Sequence, residues 1–391
     1  MKKIGMIFLI LTLSSFGMSY AKFKKYTLKH SNVLQSKALS LQTTDEQNKR
    51  MLRTKNPELN MEISKFNPRF SSSAYGYALS ASQRIRTNGY YNALEDKAYA
   101  SRLLQEAYVT NGKAGFIKTL ESLYTEYVYQ SKLFSLLQDE YKLSRKVTHI
   151  VKERYKSGSE TKVSYLQAKT DTLTLKAQIH TTKQAMDALY YQLLAIGGFK
   201  KRVTLAKKFI YSVSAGTKSA KQLTPKEKIL LAKEKLLQSQ MRMNDHSINA
   251  YALQAGIEKE PDQSILRLGI SIPLPVRNNK EEEKALARLK MQQLKLDNAQ
   301  LKLDLHAQRQ MLKSSIKELS TQYQALKILK REQKSLNSLL LEGYKIGQGS
   351  IFEMMNTKNK LIQTSKLLLQ TQKMINTKKI ELRFIQGQYN D

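Results

Sequence analysis

Glu342-Gly343-Tyr344-Lys345-Ile346-Gly347, continuing into Phe352-Glu353-Met354-Met355-Asn356-Thr357-Lys358, has an earlier counterpart in the same chain. That counterpart reads Glu153-Arg154-Tyr155-Lys156-Ser157-Gly158 and continues into Val163-Ser164-Tyr165-Leu166-Gln167-Ala168-Lys169. The two are offset by 189 positions without a gap (344 − 155 = 189), and the same offset pairs Leu79 with Leu268 and Ser82 with Ser271 far upstream. A repeat of this length makes the chain a tandem duplication and constrains the fold before any element is assigned. The copies are expected at 22–210 and 211–391. Each must build the same half of something.

Around the repeated segment the texture is long heptad helix. Ala168, Thr172, Leu175, Ile179, Thr182, Met186, Leu189, Leu193 and Ile196 advance by alternating steps of 4 and 3. Leu301, Leu305, Gln308, Leu312, Ser315, Leu319, Gln322, Leu326, Leu329, Gln333, Leu336 and Leu340 do the same in the second copy. Sustained 3/4 spacing marks helices packed knobs-into-holes. The Thr, Ser and Gln in these stripes suit a thin seam better than a thick dry core. From Glu281 to Tyr344 there is no proline, and no glycine before Gly343; such a helix is about 95 Å long. The matching span, Ala93 to Tyr155, is expected to kink or break at Asn111-Gly112 and Gly115. Both spans end at Tyr-Lys-x-Gly, where glycine suits a left-handed cap. Ser159 or Thr161, and Ser350, are placed to cap a returning antiparallel helix. The repeated motif is the tip of a helical hairpin.

Short alternating segments precede each long helix. Tyr75, Tyr77, Leu79 and Ala81 alternate with small or polar residues, as do Leu266, Leu268, Ile270 and Ile272. Just upstream of each lie Leu59, Met61 and Ile63 in one copy, and Tyr251, Leu253, Ala255 and Ile257 in the other. Period-2 alternation with tyrosine near one end fits an outer-membrane barrel strand whose Tyr75, Tyr77, Leu79, Tyr251, Leu253, Leu266, Leu268 and Ile270 face lipid. It fits a half-buried soluble hairpin equally. Strand number separates the two further. Four strands cannot close a barrel, for which about eight is the practical minimum. An open sheet in lipid would leave its edge N–H and C=O groups unpaired at several kcal/mol each. A membrane location therefore requires several copies, and three copies supply twelve strands and twelve packed helices. The expected fold class is mainly α with a small β part: duplicated helical hairpins forming a coiled-coil α-barrel, plus four strands per chain in a trimeric 12-stranded transmembrane β-barrel.

The N-terminal residues speak to destination. Lys2 and Lys3 precede a run from Ile4 to Met18 that is apolar apart from Thr12, Ser14 and Ser15, and Ser19-Tyr20-Ala21 has the small-x-small form of a cleavage site. Residues 1–21 read as a signal peptide, because the apolar run is too short to span a bilayer. With no cysteine in the chain there is neither a lipid attachment point nor a disulfide. The formal charge of +34 comes from lysines spread along the chain at non-apolar positions of helical patterns. A nucleic-acid footprint would be a concentrated basic face with stacking aromatics. The even spread reads as a solvated surface, with attraction to anionic lipid as a by-product.

With these features assembled, the mature chain resembles the TolC family of outer-membrane efflux proteins over nearly its whole length. The matching residues are Asn56-Pro57-Glu58-Leu59, Ser80-Ala81-Ser82-Gln83, Tyr155-x-x-Gly158 and Tyr165-Leu166-Gln167-Ala168-Lys169-Thr170-Asp171. Ala188-Leu189-Tyr190-Tyr191-Gln192-Leu193-Leu194-Ala195 closes the first copy in the family manner, and Gly269-Ile270-Ser271-Ile272-Pro273-Leu274-Pro275 resembles the heavy-metal efflux branch. The resemblance implies a homotrimer with a barrel in outer-membrane lipid and a periplasmic helical tunnel. It also implies a periplasmic adaptor protein as partner, docked on tips that include Tyr155, Gly158, Tyr344 and Gly347, and an inner-membrane pump of the RND type. The family narrows its tunnel with an Arg and two acidic residues after the second tip glycine. Those positions are Gly349, Glu353 and Asn356 here, so only one keeps a charge. A ring of three Glu353 carboxylates is then a cation-favouring constriction, and an acidic residue favoured by the start of a helix is the plain alternative. Tyr26 to Thr54 is short for the family's opening helix, which points to a reduced equatorial collar.

Nothing in the sequence supports catalysis, a cofactor or a resident metal. His30, His149, His180, His246 and His306 lack partners at ligand spacing, and there is no phosphate loop or nucleophile elbow. Glu281-Glu282-Glu283 complements a helix dipole. The expected function is a passive exit duct of a tripartite efflux system carrying metal cations or drugs. Type I protein secretion and a periplasmic or surface coiled-coil protein with a soluble β-cap are the alternatives.

Overall fold

The computed structural model describes residues 17–67, 72–214, 223–276 and 279–389. Among them, helices α1 (Tyr20–His30) and α2 (Asn32–Leu52) lead into strands β1 (Glu58–Phe66) and β2 (Ala74–Arg86). Then come helices α3 (Asn88–Lys156), α4 (Lys162–Gly197) and α5 (Pro225–Asp245), strands β3 (Ala250–Lys259) and β4 (Ser264–Ser271), and helices α6 (Glu281–Lys345) and α7 (Ile351–Ile385). The duplication is visible in the element ends. Helices α3 and α6 stop 189 residues apart (345 − 156), and α4 and α7 start 189 apart (351 − 162). None of the described helices is long and apolar enough to cross a membrane.

In space the chain divides differently. One compact unit holds Met1–Gln35, Lys113–Gln222 and Leu305–Asp391; the other holds Ser36–Gly112 and Leu223–Asp304. Each unit therefore draws on both sequence copies, and α3 and α6 supply residues to both.

The unit of Ser36–Gly112 and Leu223–Asp304 carries one antiparallel sheet of order β1-β2-β3-β4. Its central pairing joins the two copies, with Tyr77 opposite Lys259 and Arg86 opposite Ala250. Directly opposed residues share a face, so the register shows what each face carries. One row is Met61, Leu79, Ile257 and Leu266; the next is Leu59, Ala81, Ala255 and Leu268. The opposite face carries Asn60, Ser80, Gly256 and Arg267 in one row, and Arg267 Nη2 lies 2.6 Å from Glu258 Oε2. The strand pattern read from sequence is present in all four strands. Below the sheet, Thr87 Oγ1 donates to the Ile248 carbonyl at 3.0 Å, tying the start of α3 to the start of β3. Thr224 and Glu227 close a capping box on α5, with Pro225 at its first position.

The unit of Met1–Gln35, Lys113–Gln222 and Leu305–Asp391 has a core of Phe23, Leu120, Tyr124, Val128, Leu193 and Leu205. Beside it lies a buried carboxylate, Glu121, exposed over only 2 % of its surface. Tyr20 donates to its Oε1 at 3.1 Å and Lys24 Nζ stands 3.4 Å away. Tyr211 donates to Oε2 at 2.7 Å, and Tyr389 donates to the same oxygen. Burial first, and the carboxylate second, hold the Tyr20, Tyr211 and Tyr389 hydroxyls protonated well above the usual tyrosine range. One charge thus gathers the N-terminal helix, α3, the segment after α4 and the C-terminal turn.

Three expectations need correction. Helix α3 runs unbroken through Asn111-Gly112 and Gly115; a helical glycine costs about 1 kcal/mol, which packing along 69 residues outweighs. An added Cβ at Gly112 would meet only the flexible end of the Lys37 side chain, with Nζ 2.8 Å away. The opening segment is two helices broken at Ser31, whose backbone N–H closes α1 on the Thr27 carbonyl at 2.9 Å. On α6 the positions Gln308, Gln322, Leu329 and Leu336 are exposed, whereas every named position on α4 is buried or half-buried. Of the segment read as a signal peptide, residues 1–16 lie outside the described residues, and Tyr20 and Ala21 form the first turn of α1.

Glu121→Ala is expected to leave three tyrosine hydroxyls and Lys24 without their shared acceptor. At about 1–3 kcal/mol per stranded buried group, it should lower the thermal midpoint by several degrees. Glu121→Gln should cost less, and differential scanning calorimetry of the two variants measures the order.

Candidate functional site

Both hairpin tips are built alike. After α3, Gly158 takes φ 76°; its N–H donates to the Tyr155 carbonyl at 3.1 Å, and Ser159 N–H to the Arg154 carbonyl at 2.9 Å. After α6, Gly347 takes φ 85°; its N–H donates to Tyr344 at 3.2 Å, and Gln348 N–H to Gly343 at 2.8 Å. This double bond pattern is the Schellman cap, and a side chain at either glycine would be strained. The next helices start differently. Thr161 caps α4 by accepting from Ser164 N–H at 3.1 Å, while Ser350 occupies the cap position of α7 without a side-chain bond.

The four helix ends pack on a small core of Val147, Val151, Ala168, Tyr344, Met354 and Met355. Here the two copies diverge. Tyr155 is 38 % exposed and stacks on Tyr165, ring centroids 5.9 Å apart and nearly parallel. Its counterpart Tyr344 is 1 % exposed. Arg154 donates from Nη1 to the Tyr344 carbonyl at 2.7 Å and lies 4.5 Å over its ring; the Tyr344 hydroxyl donates to Glu160 Oε2 at 3.0 Å. Burial first, and Glu160 second, push the Tyr344 hydroxyl up to about 12. Arg154 and Glu160 therefore hold the second tip from the first. Their own counterparts are Gly343 and Gly349 (154 + 189 and 160 + 189), which carry no side chain to return the contact. Gly349 also makes room, because a Cβ there would lie 3.0 Å from Tyr344 N. In the sequence the one signal that sets Arg154 and Glu160 apart is their mismatch with Gly343 and Gly349 of the second copy.

Glu353 and Asn356, three residues apart near the start of α7, stand on one exposed face, opposite buried Met354 and Met355. Gly349 is half-buried and lies in the tip loop, before α7 begins. One turn further on, Lys358 is buried; its Nζ donates to Ser144 Oγ at 3.2 Å and lies 3.7 Å from Asp171. Burial holds this ammonium below the usual lysine range, against the pull of Asp171. Among the described residues no three His, Asp or Glu side chains gather as a metal site.

The named strand residues share one face of the sheet. Tyr75, Tyr77, Leu253, Leu266, Leu268 and Ile270 are exposed in the single chain, and Leu79 and Tyr251 are half-buried. Leu59, Met61 and Ile63 extend the same face on β1. On α6, Leu289, Leu296 and Leu303 form a further exposed row at heptad spacing. A soluble monomer rarely leaves contiguous apolar surface on this scale uncovered.

No protein-family model matches the sequence, and no curated protein matches it. Solved structures do match. The outer-membrane channel OprN aligns with a TM-score of 0.79 at 10 % identity, over 95 % of this chain and 90 % of that one. The outer membrane protein VceC from Vibrio cholerae aligns with a TM-score of 0.76 at 14 % identity, over 94 % and 95 %. The open-state MtrE outer membrane channel of Neisseria gonorrhoeae aligns with a TM-score of 0.72 at 15 % identity, over 94 % and 88 %. The neighbours are TolC-family channels, so the sequence resemblance is matched by a likeness of fold over nearly the whole chain.

Arg154→Ala is expected to release the second tip from the first. Loss of a charge-assisted bond worth about 1.5–3 kcal/mol should speed amide hydrogen exchange at Gly347 and Gln348 at least ten-fold while leaving the β2–β3 amides unchanged. Hydrogen-exchange mass spectrometry reads both regions in one experiment.

Proposed function

We propose that the chain is one third of a homotrimeric outer-membrane exit duct for a tripartite efflux system. The carrying observation is the sheet: one face is apolar across all four strands, and among the described residues of the single chain β1 and β4 each have a neighbour on one side only. Three copies joined β1 to β4 make a closed 12-stranded barrel. Closure satisfies the edge amides, and the apolar face meets lipid. The exposed leucine row on α6 then packs against a neighbouring copy.

Transport is passive. The polar sheet face with Arg267 and Glu258 lines a wet lumen, and energy and cargo choice belong to an inner-membrane pump of the RND type. Tyr155, Gly158 and Gly347 offer exposed tip surface to a periplasmic adaptor protein, with Tyr344 as the internal anchor that keeps the second tip in place. Three Glu353 side chains ring the tunnel, flanked by Asn356. With Gly349 where the family has arginine, no cation closes the ring, which favours positively charged cargo such as metal cations or cationic drugs. The protein reaches the outer membrane after export by a cleaved signal peptide and performs no chemistry on what it passes.

Two substitutions test this. Leu268→Arg places a charge on the proposed lipid face, where it costs about 2–4 kcal/mol near the bilayer centre. The variant should disappear from the outer-membrane fraction and from the heat-modifiable trimer band. A soluble β-cap would tolerate it, because Leu268 is 76 % exposed in the chain alone. Gly347→Pro removes the cap N–H and forbids φ 85°. It should abolish efflux, measured as loss of resistance to the pump's substrates, while membrane insertion persists.

A further inference from the structure

Building on the export reading, we propose that the leader is removed between Gly17 and Met18, so that the mature chain begins at Met18 rather than at Lys22. Hydrolysis adds one water across that amide, leaving a carboxylate on Gly17 and an α-ammonium on Met18.

Three registers near the end of the apolar run have small residues two apart: Ser15-Phe16-Gly17, Gly17-Met18-Ser19 and Ser19-Tyr20-Ala21. Composition does not rank them, but the fold does. Met18 N–H donates to the Thr204 carbonyl at 2.7 Å, and Ala206 N–H donates to the Met18 carbonyl at 3.0 Å, in a parallel bridge with Leu205. Ser19 is the N-cap of α1, and its hydroxyl accepts from Lys22 N–H. Tyr20 donates to buried Glu121, and its ring lies 4.9 Å from that of Tyr124. Met18 and Tyr20 both pack on the core around Phe23.

A cut after Ala21 deletes all of these contacts. It also sets a new ammonium one residue from Phe23, which is fully buried, at the end of α1 where the helix dipole disfavours a cation. A cut after Ser19 keeps Tyr20 but loses the bridge and the cap. A cut after Gly17 keeps all of these contacts and gives up only the close approach of Gly17 to the Leu205 backbone; the new Met18 ammonium retains its donor to Thr204. Cleavage acts on an unfolded chain, so the fold bears on the site only by requiring that residues 18–21 survive.

The test is intact-mass and N-terminal sequence analysis of the protein purified from outer membranes. A start at Met18 is expected. A start at Tyr20 or Lys22 overturns the site while leaving export intact, and an unprocessed chain starting at Met1 overturns the site and the export reading together. Gly17→Leu should block or shift processing, and Ala21→Leu, at an exposed position, should leave it unchanged; loss of processing in Ala21→Leu alone overturns the proposal. Placed behind a foreign leader, a chain starting at Lys22 should accumulate as folded protein several-fold less than one starting at Met18. Equal accumulation overturns the argument from the fold.

Discussion

The antiparallel pairing of β2 with β3, from Tyr77 opposite Lys259 to Arg86 opposite Ala250, is the constraint on which the sheet depends. Among the described strands it is the one pairing made between the two copies of the duplicated sequence. Because side chains alternate with a period of two, a slip of one residue there would turn half of the sheet over. Leu79 and Ile257 would leave the face they share, and Gly256 would lose its place opposite Ser80, where an added Cβ would lie 2.9 Å from the serine Cβ. Close backbone approach at that glycine and continuous apolar rows on the other face pin the same register.

Duplication explains the architecture and also where it departs from symmetry. Both tips use the same capped turn, because Tyr-Lys-x-Gly survives in both copies and only glycine suits the left-handed position. The side chains around the turns have diverged. Arg154 and Glu160 of the first copy bind the backbone and hydroxyl of Tyr344, while Gly343 and Gly349 of the second cannot reciprocate. One tyrosine is therefore a core residue and its twin a surface residue. Divergence of this kind lets equivalent hairpins present different surfaces.

The heptad stripes show how far a one-dimensional pattern carries. On α4 all the stripe positions are buried or half-buried, since α1, α3 and α7 lie within reach in the same chain. On α6 the same periodicity leaves Leu329 and Leu336 at 45 % and 48 % exposed. Periodicity reports that a face wants burial and is silent on whether the chain itself supplies the cover. Likewise propensity, being local, marks Gly112 as a break in α3, whereas the helix is held by packing along its length.

Period, repeat and cap chemistry are local or self-referential properties, and the linear chain therefore determined them: long helices, four alternating strands, two glycine-capped tips, and the 189-residue offset (344 − 155) that relates them. Strand order, register and the divergent tip contacts depend on groups far apart in sequence meeting at hydrogen-bond distance. Only the folded chain decided those. The Glu121 cluster is the plainest case: Tyr20, Glu121, Tyr211 and Tyr389 span nearly the whole chain. Nothing in their spacing marks them, because a buried charge recruits donors by position in space and not by position in sequence.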